Sequence, residues 1–244
     1  MTIAENIERV REQIAVACAQ VGRNPTDVIL VAVSKTHSAA AVIEAAAAGV
    51  QHFGENRVEE STIKIPAVTV AFDTPLIWHM IGHIQSRKAK EVAHLFQVVH
   101  SVDSLKLAAK LAAAVEGEHP IGVYLEINVS GEESKSGFAA HGWEHDRSMR
   151  TRLIEEIRQI TAMPRVVIRG LMTMAPIVED MEATRPVFAG LRELRDALRA
   201  DIGVELPELS MGMTDDYPIA IQEGATCIRV GRAIFGDRRT MDKT

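Results

Sequence analysis

The feature that most narrows the fold of this chain is an alternation. Short apolar runs of strand length at 28–33, 50–53, 76–81, 97–102, 122–129, 166–174, 208–211 and 226–230 are separated by segments with helical spacing. Those segments lie at 39–48, 54–64, 85–95, 103–116, 149–162, 181–202 and 215–223. A run such as Val28-Ile29-Leu30-Val31-Ala32-Val33 is continuously apolar and rich in β-branched residues. That composition suits a strand buried on both faces of a parallel sheet. Repeated strand–helix units of this kind close most naturally into one (β/α)8 barrel, with a doubly wound open sheet as the alternative. No Gly-x-Gly-x-x-Gly or Walker-type loop follows the first run, which counts against a nucleotide-binding open sheet. Ile3, Ile7, Val10, Ile14, Ala17 and Cys18 share one helical face, so an extra amphipathic helix precedes the barrel. The expected organisation is a single domain: an N-terminal helix at 1–22, a barrel at 28–236 and a tail at 237–244.

Composition excludes several classes. A net charge of -6 argues against a broad nucleic-acid footprint. No apolar stretch is long enough to span a bilayer and the start lacks a signal-peptide core, so a cytoplasmic protein with no membrane partner is expected. Cys18 and Cys227 read as buried, unpaired thiols.

The strand ends carry the chemistry. Lys35 follows the first run, at the edge where α/β proteins build ligand sites. An amine set against apolar walls loses its proton more readily and can then attack a carbonyl, forming a Schiff base. On this segment alone, a solvated loop lysine is the alternative reading. Gly54 and Asn56 follow the second run; His79 and His83 follow the third and read as polar lining of a pocket mouth rather than a metal pair. The glycine-bounded segment 131–137 is a candidate lid, Met172 and Met174 read as core filler, and 139–150 reads as an exposed insertion. No metal site is expected. Leu209-Ser210-Met211-Gly212-Met213-Thr214 and Arg229-Val230-Gly231-Arg232 end the last two runs, where barrels commonly hold phosphate. Arg229 lies inside its strand, where its charge needs a partner or a ligand, and Arg232 is better placed to meet a phosphate. A carbonyl-reactive lysine and a phosphate cup together fit pyridoxal 5'-phosphate (PLP), which carries an aldehyde and a phosphate.

The segments AVSKTHS, FGENRVEE, WHMIGHIQSRK, INVSGEESKSGF, RGLMTM and LSMGMTDDYPIAIQEGATCIRVGRAIFG resemble those of the pyridoxal phosphate homeostasis proteins, the YggS/PROSC family, over nearly the whole chain. The resemblance implies a barrel of the alanine racemase N-terminal domain type, with PLP bound to Lys35 as a Schiff base. It further implies that Ser210 and the backbone around Gly212, Met213 and Gly231 hold the phosphate, with Arg232 beside them. Arg229 would face the pyridine nitrogen and keep it unprotonated, and Asn56 would line the cofactor. Three positions depart from the family pattern: His37 replaces a second lysine, Arg232 a Thr or Ser, and Thr214 a Ser. Lys135 matches the family near the mouth. The expected role is a reversible PLP carrier or buffer in vitamin B6, amino-acid and keto-acid balance. It would be a monomer without turnover, with apo PLP-dependent enzymes as recipients. The alternatives are a racemase-like PLP enzyme acting on amino acids and, less well fitted to Arg229, a class I aldolase. A two-base racemase needs a second base, usually a tyrosine from another domain, and this chain has only Tyr124 and Tyr217.

Overall fold

A computed structural model describes residues 1–72, 74–132 and 135–236; the expected tail at 237–244 lies outside them. Parallel strands β1 (Ile29–Val33), β2 (His52–Glu55), β3 (Ile77–Met80), β4 (Val98–Val102) and β5 (Ile121–Asn128) are followed by a two-residue strand, β6 (Phe138–Ala139). Strands β7 (Val166–Met172), β8 (Glu208–Met213) and β9 (Cys227–Val230) complete the set. The hydrogen-bonded order is β4-β3-β2-β1-β9-β8-β7-β5, and pairing of β4 with β5 closes it into a barrel. Closure satisfies both edges of every barrel strand, so the open-sheet alternative is ruled out.

Helices α2 (Ala39–Ala47), α3 (Val58–Ala71), α4 (Ala89–Leu95), α5 (Leu105–Ala114), α6 (Arg147–Thr161), α7 (Arg185–Ile202) and α8 (Tyr217–Gln222) surround the barrel. A four-residue helix, α9 (Arg232–Phe235), follows β9. The expected extra helix is α1 (Ile3–Gln20), opened by a Thr2/Glu5 capping box. It packs on α2, α8 and α9 and is tied to the last of these by Asn6 Nδ2 donating to the Ile234 carbonyl at 2.8 Å. No helix among the described residues is long and apolar enough to cross a membrane.

Apolar side chains sort into two cores. The large one lies between sheet and helices and holds Phe53, Leu125, Leu171, Phe188 and Leu209. The small one, Val31, Val98, Tyr124, Met172 and Cys227, fills part of the barrel interior. Alternation along each strand makes this split: Phe53 faces the helices while His52 and Gly54 face the lumen.

Several boundaries differ from those expected from the sequence. Strand β2 starts at His52 because Val50 is buried without joining the ladder, and α3 continues through Pro66 to Ala71. The stretch 139–150 is exposed along most of its length, as expected, but it is anchored at two points: Ala140 and Trp143 are buried, and the Arg150 guanidinium lies 5.5 Å from the Trp143 ring centre. Part of the candidate lid instead leads into β6, which pairs with β5. Met172 is core, as expected, but Met174 is 38% exposed beyond the strand end. Both cysteines are free and buried.

Two glycines test the packing. A Cβ on Gly170 would lie 1.8 Å from the Glu208 carbonyl oxygen across the β7–β8 pair, whereas one on Gly190 in α7 would meet nothing within 4 Å. Gly170→Ala is therefore expected to lower the free energy of urea unfolding by at least about 2 kcal/mol, through forced separation of the two strands. Gly190→Ala should raise it by about 0.5–1 kcal/mol, because alanine restricts the unfolded chain and favours helix.

Candidate functional site

The carboxyl ends of the barrel strands form one rim, and the residues expected to act gather there or just beneath it. Lys35 follows β1 in a turn and is half-buried; the next residue, Thr36, has a φ of 67°. Arg229 sits on the neighbouring β9, in register with Val31, and is only 5% exposed. Its Nη1 donates to Ser210 Oγ at 2.5 Å and its Nη2 to the Thr173 carbonyl at 3.1 Å. Burial holds the Arg229 pKa below the ordinary arginine value, opposed by the charges of Asp216 and Glu126 among others. Those two carboxyls are themselves pushed up by burial and drawn down by Arg229. Arginine keeps its charge across the biological pH range, so the barrel floor beneath the rim is cationic.

Three imidazoles continue inward from that guanidinium. Ser210 Oγ meets His100 Nδ1 at 2.8 Å, His100 Nε2 meets His79 Nδ1 at 2.8 Å, and His79 Nε2 meets His52 Nδ1 at 2.9 Å. The file crosses the lumen from β9 and β8 to β4, β3 and β2. A neutral imidazole has one N–H and one lone pair, so three in line can bond head to tail. Burial is the leading cause that holds His79 and His100 well below the usual histidine pKa, and His52 is lowered for the same reason. Deeper still, Arg169 pairs with Glu208 at 2.6 Å, and Tyr124 donates its hydroxyl to the same carboxylate.

His79 is thus inside the barrel rather than at the pocket mouth. His83 is at the surface, 3.5 Å from Asp103, so the two histidines separate as a metal pair could not. Among the described residues, no group of three or more His, Cys, Asp or Glu side chains is arranged to hold a metal ion.

The other expected residues divide by position. Asn56 follows β2, its Oδ1 buried without a hydrogen-bond partner. Gly82 fits against it so closely that a Cβ there would lie 2.2 Å from the Asn56 carbonyl oxygen. Gly212 takes a φ of +93°, and a Cβ on it would lie 2.7 Å from that of Ala220. The Met213 N–H is committed to Asp216 Oδ1 at 2.6 Å. Gly231 N–H points to Thr214 Oγ1 at 3.4 Å, which brings the two loop ends together. Arg232 turns outward, 56% exposed, and Nη2 contacts both Asp215 carboxylate oxygens at 2.7 Å. Ser210, expected in the phosphate cup, has its hydroxyl engaged in the floor by Arg229 and His100, while Thr214 occupies the rim. Lys135 reaches from the β5–β6 loop to the Met174 carbonyl at 2.9 Å.

Sequence reasoning missed His52, His100, Glu126 and Thr173. Their signal was present: each is a polar residue in or at the end of a largely apolar strand run, where the inward face of a barrel strand emerges.

The residues 3–239 match the model of the family described as "Alanine racemase, N-terminal domain". A pyridoxal phosphate homeostasis protein of Pseudomonas aeruginosa is 45% identical over 238 residues, covering 97% of this chain and 96% of that protein. PipY of Synechococcus elongatus, solved with PLP bound, superposes with a TM-score of 0.81 at 37% identity, covering 96% of this chain and 100% of PipY. An alanine racemase of Clostridium difficile has a TM-score of 0.66 at 15% identity. That match covers 88% of this chain but 54% of the racemase, and it is a likeness of fold alone.

The buried histidines predict a pH response. Unfolded histidine titrates near 6.5, and His79 and His100 are held well below that in the fold. Their contribution to stability is complete above pH 6.5 and is lost as pH falls, by up to about 1.4 kcal/mol per pH unit for each. Glu55, Glu126 and Asp216, raised by burial, act with the opposite sign, contributing most at low pH and less as pH rises. The comparison that isolates the file is urea unfolding of wild type and His79→Gln between pH 5 and 7. The variant should show the less positive slope of stability against pH, and identical slopes would refute the assignment of buried neutral imidazoles.

Proposed function

The chain belongs to the family of the pyridoxal phosphate homeostasis proteins, built on the alanine racemase N-terminal domain, and on that premise we propose that its barrel mouth binds PLP through a Schiff base to Lys35. The observation that carries the reading is the placement of Lys35 in the turn that follows β1 and of Arg229 on the adjacent β9, an amine at the rim and a guanidinium on the floor below it. The unpartnered Asn56 Oδ1 fits the same ligand, as a buried acceptor open to a donor from outside such as a ring hydroxyl.

Bound PLP supplies an aldehyde, which condenses with a neutral primary amine and releases water. The protein's own residues do the rest. Lys35 gives the amine. Arg229 has no proton acceptor to offer and can only donate toward a ring nitrogen, so that nitrogen stays unprotonated and the ring withdraws electrons weakly. Ser210, the Thr173 carbonyl and the histidine file hold the guanidinium in place. Thr214 and the backbone at Gly231 and Arg232 form the phosphate cup, where the Thr214 hydroxyl keeps the donor that the family's serine would give. The Arg232 side chain serves Asp215 instead.

A weak electron sink suits reversible tethering better than turnover. The tyrosines point the same way: Tyr124 is fully buried against Glu208, and Tyr217 is 1% exposed with its hydroxyl on Gln13, so neither offers a second base at the rim. The role we propose is accordingly a carrier or buffer of PLP rather than an enzyme, and with it, as expected from the sequence, a cytoplasmic monomer with apo-enzymes as recipients.

Purified protein mixed with PLP should give an imine band at the visible edge of the spectrum, and borohydride should fix the cofactor on Lys35. Lys35→Ala should lose both, and a variant that kept the band unchanged would defeat the assignment. A panel of racemase, decarboxylase and transaminase assays on the loaded protein should stay at the background of free PLP. Robust turnover of any amino acid would instead establish a racemase-like enzyme.

A further inference from the structure

Both chain neighbours of Lys35 are held by one ion cluster behind the sheet. Lys64 on α3 is 6% exposed, and its ammonium makes three hydrogen bonds. Nζ donates to the Ser34 carbonyl at 2.8 Å, to Glu55 Oε1 at 2.8 Å and to Glu60 Oε1 at 2.6 Å. Ser34 Oγ donates to the same Glu55 oxygen at 2.6 Å, and the Thr36 N–H donates to Glu60 Oε1 at 2.7 Å. The residue before Lys35 and the residue after it are therefore tied, through two carboxylates, to a single buried cation.

The turn needs holding. Thr36 has a φ of 67°, a left-handed conformation that a β-branched residue adopts only where its surroundings impose it. On the next position, the His37 ring stacks on Phe235 with centroids 5.0 Å apart. An ion cluster is a costly filler, since lysine is rarely buried unless paired and an apolar side chain fills such space at lower cost. What an apolar side chain cannot do is accept the Thr36 N–H or donate to the Ser34 carbonyl.

We propose that Lys64, Glu55 and Glu60 are positioning residues for Lys35, fixing the strained turn that aims its amine at the aldehyde while leaving ring and phosphate binding to other loops. The inference deepens the Schiff-base reading and rests on it. On this proposal none of the three is a ligand contact. Their loss acts on covalent capture alone.

The test separates capture from binding with two probes. Pyridoxine 5'-phosphate has the ring and phosphate of PLP but an alcohol in place of the aldehyde, so it cannot condense. Its affinity, measured by calorimetry, reports the pocket; the fraction of bound PLP that borohydride fixes on Lys35, read by mass spectrometry, reports the amine. In Glu60→Ala the affinity for pyridoxine 5'-phosphate should stay within about twofold of wild type. The ratio of fixed to unfixed PLP should fall on the order of tenfold, the scale of losing a charge-assisted hydrogen bond. Glu60→Gln, whose amide oxygen can still accept the Thr36 N–H, should recover most of that loss. Glu60 is 26% exposed on its side chain, so this pair should fold even if Lys64→Met, which strands buried carboxylates, does not. An unchanged fixed fraction in Glu60→Ala would overturn the proposal. So would a parallel fall in both measurements, which would make the cluster a general structural support. Wild-type protein that binds both probes but yields no fixed lysine would refute the Schiff-base reading itself, an outcome visible before any variant is made.

Discussion

A guanidinium inside a closed barrel is the constraint on which the rest of this site depends. Arg229 cannot shed its proton, and a bare charge in an apolar lumen is prohibitively unfavourable. The interior is arranged accordingly, with Ser210 and the Thr173 carbonyl accepting its N–H groups and Glu126 and Asp216 opposing its charge. The hydroxyl that meets Arg229 must in turn be partnered, and His100, His79 and His52 extend that requirement across the lumen. A half-satisfied network of this sort would be worse than none, which is why five polar side chains from five strands stand in one connected line.

The rim obeys a different rule. The floor is rigid because its groups sit on strands fixed by the ladder on both sides, whereas Lys35 sits on a turn with a left-handed residue beside it. That turn is secured from outside the barrel, by the cluster on Lys64 and by the stacking of His37 on Phe235. Floor and rim are thus held by separate sets of bonds on opposite faces of β1 and β2. His37 thereby ties the turn to the last helix, through its ring packed on Phe235.

Much of this was legible in the chain, for reasons that are local. Continuous β-branched runs, helical stripes and glycine stops follow from backbone sterics and side-chain burial, and they located each barrel strand within a few residues. Lys35, Arg229 and the glycine loops were legible because a charge in or beside an apolar run is unfavourable until it meets a partner or a ligand. A glycine likewise costs ordering entropy unless a turn or a close approach requires it. The direction of Arg232, the place of Ser210 in the floor and the burial of Trp143 were not legible. Each depends on a neighbour that another element supplies: Asp215 from the loop after β8, His100 from β4 across the lumen, and Arg150 from α6.

The sequence by itself determined a parallel barrel with a lysine at its rim and an arginine within its wall, because hydrophobic period and residue chemistry are read one segment at a time. Only the tertiary structure decided that three histidines from separate strands form one file, that Thr214 rather than Ser210 meets Gly231, and that Lys64 holds the turn of Lys35. Those relations exist between residues distant in the chain, and strand pairing, barrel closure and the packing of α3 on the sheet bring them within hydrogen-bonding reach.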